Sequence, residues 1–119
     1  MPYETDKTAT RSDRFRQLQK MFIGAALDDV SELSTLLEAC GGATPGGDAG
    51  DRFRKLAHDL RGTGGGYEFP AISDTAAGLE DAYLAESSAE ALNQSLALLR
   101  KAVDAARSDL ESASASAAE

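Results

Sequence analysis

Apolar residues along the chain recur at three- and four-residue steps and never alternate over a sustained stretch, which predicts helices throughout and no strand. In the first segment Phe15, Leu18, Phe22, Ala26, Val30, Leu33, Leu37 and Cys40 form one stripe, closed by Gly41 at a C-cap position. This is one long helix, with Gly24 and Asp28 as candidate bend points. The second helix opens near Asp48 or Asp51 and carries Phe53, Leu56, Ala57, Leu60 and Tyr67 on one side. The third begins at Pro70, whose fixed φ and missing N–H suit a first turn, and continues through Ile72, Ala76, Leu79 and Tyr83. A capping box from Ser87 to Glu90 starts the fourth, whose stripe is Leu92, Leu96, Leu99, Val103, Ala106 and Leu110. Four such helices with short connections predict an all-α fold, an antiparallel up-and-down four-helix bundle.

The breaks give the domain organisation. Gly41 to Gly50 (GGATPGGDAG) is the linker between the first two helices, and a second glycine cluster, Gly62 and Gly64 to Gly66, precedes the Pro70 break. Residues 1–10 are polar and aperiodic and read as a mobile tail, residues 11–112 as the bundle, and residues 113–119 as a low-complexity C-terminal tail. A chain of 119 residues accommodates one domain.

Charge and rare residues narrow the chemistry. The net charge of −8 disfavours nucleic acid and anionic membranes as partners. No apolar run is long enough to span a bilayer and the N-terminus has no signal-peptide core, so a cytoplasmic location is expected. Cys40, the only cysteine, reads as a small buried apolar residue, and a single histidine excludes zinc and dimetal sites that need two imidazoles.

That histidine, His58, falls about 140° from Phe53 around the helix and so faces away from the apolar stripe. Its helical neighbours are Arg54, Lys55, Arg61 and Gly62. Residues 51–66 are net positive, with Arg52, Arg54, Lys55 and Arg61 against Asp51 and Asp59, whereas residues 68–119 carry three basic and ten acidic groups. A positive patch around an exposed nucleophile suits a phosphoryl group, and the same arrangement also reads as an ordinary solvated helix face.

The string A-H-D-L-R-G-T-G-G-G-Y-E-F-P-A-I, followed by Leu79 and Glu80, resembles the histidine-containing phosphotransfer (HPt) domain family. His58, Leu60, Arg61, Gly62, Thr63 and Gly65 hold the family's motif places, and the resemblance extends over about residues 15–110. It implies His58 as phosphoacceptor and Arg61 as the group that stabilises phosphoryl oxygens. Arg54, Lys55, Gly62 and Gly65 would meet the partner, while Thr63, turned toward the core side, would anchor local backbone. Gly62 leaves bare backbone beside the nucleophile, and Gly66 reads as a helix end.

The implied function is phosphoryl carriage between receiver-domain aspartates in a multistep phosphorelay, by a monomer without NTP-dependent kinase activity. Its partners would be response-regulator receivers and a hybrid or separate histidine kinase. No cofactor is expected, the Mg²⁺ belonging to the partner receiver. Two departures stand out: Arg61 replaces the commoner lysine, and Glu68 stands where many members have glycine, which questions the turn geometry. One rival is a degenerate HPt-like bundle that binds a receiver without phosphotransfer. Another is the dimerising phosphoacceptor domain of a histidine kinase, although His58-Asp59-Leu60-Arg61 continues to Gly62 and lacks its Thr-Pro. A purely structural helical protein is the third.

Overall fold

The computed structural model describes the backbone of residues 2–118 and the side chains of residues 12–113. It contains α1 (Pro2–Glu38), α2 (Gly47–Gly66), α3 (Pro70–Leu84) and α4 (Ala89–Ala118), with no strand among the described residues. Each helix packs on its sequence neighbours and α4 closes the bundle against α1. Among the described residues no helix is long and apolar enough to cross a membrane.

The four stripes meet in one core. Phe22, Ala26, Val30, Leu33 and Leu37 of α1 are buried with Phe53, Leu56, Ala57 and Leu60 of α2, Ile72, Ala76 and Leu79 of α3, and Leu92, Leu96, Leu99, Val103 and Ala106 of α4. Ile23 joins them, one position outside the expected stripe. Phe15 and Leu18, expected inside, are exposed because the N-terminal part of α1 runs past the end of α2 and has less to pack against. Cys40 is half-buried, and its thiol donates to the Leu36 carbonyl at 3.2 Å, so it sits at a fraying helix end and not in the core.

Helix boundaries differ from the sequence reading in three places. The helical backbone continues into both segments read as tails, because nothing between Tyr3 and Phe22 or after Ser88 is a glycine or proline that would stop it. The side chains of residues 1–11 and 114–119 lie outside the described residues. The linker is shorter than Gly41 to Gly50, since Gly46 is the N-cap of α2 and Gly47 to Gly50 are already helical. The cap of α4 is Ser88, one residue later than expected, and its hydroxyl accepts from the Ala91 amide at 3.2 Å. With alanine at that third helical position there is no carboxylate to reach back, so the reciprocal half of a capping box is missing.

Both ends of α3 matter for the site. After α2 the Phe69 amide donates to Gly64 at 2.8 Å and the Glu68 amide to Gly65 at 3.1 Å, with Glu68 at φ 67°. After α3 the Ser87 amide donates to Ala82 and the Glu86 amide to Tyr83, both at 3.0 Å, with Glu86 at φ 58°. Both are Schellman ends in which a glutamate fills the left-handed position that glycine normally takes. The first turn is held from outside as well: Gln19 donates to the Tyr67 carbonyl at 2.9 Å, and Phe22 stacks on Tyr67 and Phe69 with ring centroids 5.2 and 6.0 Å apart. Pro70 then opens α3 with Phe69 as N-cap.

Candidate functional site

Two contacts near that turn set the register of α2 against α3. At Gly64 an added Cβ would lie 3.0 Å from the Ser73 amide nitrogen, so only glycine lets the two backbones approach this closely. The Ser73 hydroxyl donates to the Arg61 carbonyl at 2.7 Å, and a Cβ at Gly65 would meet that hydroxyl oxygen at 3.6 Å. Two turns further along each antiparallel helix, the same register brings His58 opposite Glu80.

Glu80 is the one buried charged side chain among the described residues, 5% exposed, and His58 beside it is 61% exposed. The His58 Nδ1 lies 3.0 Å from Glu80 Oε2. Arg61 donates from Nη1 to Oε1 at 3.4 Å, and Arg54 places Nη1 3.8 Å from Oε2. Three groups from the outer face of α2, spanning one turn on either side of the histidine, thus converge on one carboxylate rooted in the core. A carboxylate can only accept, so this pairing puts the imidazole proton on Nδ1. Among the described residues Nε2 makes no hydrogen bond, and it is the nitrogen that carries the free lone pair.

The remaining motif residues divide by helix face. Gly62 has open space where a Cβ would be, so the surface beside His58 is bare backbone. Lys55 turns away from Glu80 and pairs with Asp59 at 3.0 Å on the exposed surface. Gly65, expected to meet a partner, is exposed, and an added Cβ there would touch only the Ser73 side chain. Thr63 anchors backbone as expected, its hydroxyl donating to the Asp59 carbonyl at 2.6 Å, but it is exposed and not on the core side. The reason is rotational: Thr63 is about 100° around α2 from Gly64, which makes the α3 contact.

Toward α1, Arg52 and Glu32 form a paired fork at 2.5 and 2.8 Å. The hydrogen bond from Arg52 holds the Glu32 carboxyl below its ordinary range, and the same bond raises the Arg52 guanidinium. Burial, with the Glu32 charge adding, pushes the Asp29 carboxyl upward.

The family resemblance includes Glu80 beside Leu79 but assigns it no role. The signal was present: Glu80 follows Ala76 by four residues, which puts a charge on the buried side of the α3 stripe. A buried acid needs a partner, but which one depends on how α3 sits against α2.

The family model described as Hpt domain matches residues 17–109, more than three quarters of the chain. The chain belongs to the Hpt domain family. Hpt domains serve in two-component phosphorelays as carriers of phosphoryl groups on histidine and not as kinases. Comparison with curated proteins and with solved structures found no match for this Hpt domain.

Proposed function

We propose that this Hpt domain accepts a phosphoryl group on Nε2 of His58 from the aspartyl phosphate of a receiver domain and returns it to a second receiver. The observation that carries the reading is the His58–Glu80 pair, which fixes the tautomer of the only imidazole and leaves its nucleophilic nitrogen outward.

In the forward step the Nε2 lone pair attacks phosphorus. The Nε2–P bond forms as the P–O bond to the aspartate breaks, and the bonding pair leaves on the carboxylate oxygen. The ring becomes cationic, and its Nδ1–H then makes a charge-assisted hydrogen bond to Glu80. Arg61, one turn along and half-exposed, supplies charge to the equatorial phosphoryl oxygens. The divalent cation for this chemistry belongs to the receiver's acidic pocket. Bare backbone at Gly62 gives that pocket room to approach, and the basic face of α2 steers it. The reading carries with it a monomeric state and a cytoplasmic location.

The test is transfer of label from a phosphorylated receiver to the protein and to His58→Gln, with the fold checked by circular dichroism. Acid-labile, alkali-stable label on the wild type and none on the variant is the expected result. Label retained in His58→Gln refutes the assignment, and a receiver that binds without passing label to the wild type leaves the domain a binding module.

A further inference from the structure

The Glu80 cluster contains one cation more than it needs. His58 is neutral in the tautomer above, Glu80 carries one negative charge, and a single arginine would balance it. Arg54 and Arg61 both reach the carboxylate, at 3.8 and 3.4 Å, and leave the cluster with a surplus of one positive charge. They stand on opposite sides of the histidine, four residues before it and three after it, on the same helix face. Both side chains are about half-exposed, 46% and 51%, while Glu80 is 5% exposed. The carboxylate is therefore fixed and the two guanidiniums are free to re-aim.

Resting on the phosphoacceptor reading of His58, we propose that Arg54 is a second phosphoryl ligand, held in reserve on Glu80 and transferred to the phosphoryl oxygens with Arg61, so that the two arginines close on the group from both sides. The surplus charge meets the dianionic phosphoryl group, and each guanidinium can donate to it from one nitrogen while another remains near Glu80. Lys55, also on the basic face, pairs with Asp59 and does not reach the Glu80 cluster.

The test uses phosphoramidate as a small-molecule donor, which removes receiver docking from the measurement: Nε2 attacks phosphorus, the P–N bond breaks and ammonia leaves. Arg54→Ala is expected to accept phosphoryl about fivefold more slowly than the wild type, and Arg54→Lys to recover roughly half of that loss on a logarithmic scale. A phosphorus NMR titration of the loaded protein should show the phosphoryl midpoint move upward in Arg54→Ala, because a lost cation disfavours the dianion. Arg52→Ala removes the same charge from the same helix but off the cluster, where its partner is Glu32, and should change neither quantity. The Arg54→Ala effect should persist in a Glu80→Gln background.

The proposal is overturned if Arg54→Ala tracks Arg52→Ala in both rate and titration. It is equally overturned if the effect disappears in the Glu80→Gln background, which would mean Arg54 acts only through Glu80. Failure of the underlying reading looks different: the wild type takes no label from phosphoramidate, or His58→Gln keeps it.

Discussion

Alanine at Gly62 should stabilise the domain and alanine at Gly64 should leave it unchanged or destabilise it, although the two positions are separated by a single residue on one helix. At Gly62 the new methyl meets nothing within 4 Å, so the exchange gains helix propensity alone, about 0.8–1 kcal/mol. At Gly64 the methyl would sit 3.0 Å from the Ser73 amide nitrogen and 3.1 Å from Ile72 Cγ2. The contacted atom is backbone at the start of α3, so relief requires the two helices to separate. Overpacking of this kind costs about 1–3 kcal/mol, which cancels or exceeds the propensity gain. The gap between the two variants is then about 1–3 kcal/mol, and at about 4–8 °C per kcal/mol for a domain of this size it should reach at least about 4 °C in Tm. Thermal melts followed by circular dichroism, with Gly62→Ala above the wild type and Gly64→Ala level with it or below, provide the assay. Equal shifts of the same sign would show that the α2–α3 contact is looser than described and that its register does not depend on Gly64.

Three further expectations follow from single contacts. Glu80→Gln keeps an acceptor for Nδ1–H but removes the charge that answers the imidazolium, so phosphoryl acceptance should slow by about tenfold while the circular dichroism spectrum is unchanged; an unaltered rate would take Glu80 out of the mechanism. Glu68→Gly and Glu86→Gly each relieve a side chain held at positive φ and should stabilise by up to about 1 kcal/mol, measured as a rise in the urea midpoint; a fall would show that the glutamate side chains hold these turns. Asp29→Asn should raise Tm at pH 7. Burial and Glu32 raise the folded-state pKa of Asp29, so its ionisation disfavours the folded state above that value; below the ordinary 3.8 both states are protonated, and the gain should vanish as pH is lowered toward it.

Periodicity was enough for the helices and for most of the core, because a three-to-four-residue spacing has one packing solution when loops are short. It misjudged Phe15 and Leu18, since a stripe says which side of a helix is apolar but not how far the partner helix extends. Glu68 in place of glycine does lie in the left-handed region, but the turn forms all the same. Two backbone hydrogen bonds, the stacked aromatics and Gln19 over-determine it. His58, Arg61 and Gly62 could be placed on one exposed face by helix geometry alone. Glu80 could not, since its place depends on the register between two helices, which Gly64 and Ser73 set through space. Gly65 lies on the His58 side of α2 and is exposed; that Ser73 borders it could be seen only from the position of α3.

The central claim is that Glu80 holds Nδ1 of His58 and leaves Nε2 to carry the phosphoryl group. It is tested most directly by phosphorus–nitrogen NMR on protein with ¹⁵N in its one histidine, loaded from a phosphorylated receiver. The predicted result is a phosphorus coupling to Nε2, with the proton retained on Nδ1. Phosphorus coupled to Nδ1, or a loaded protein whose imidazole nitrogens show no coupling, would contradict it.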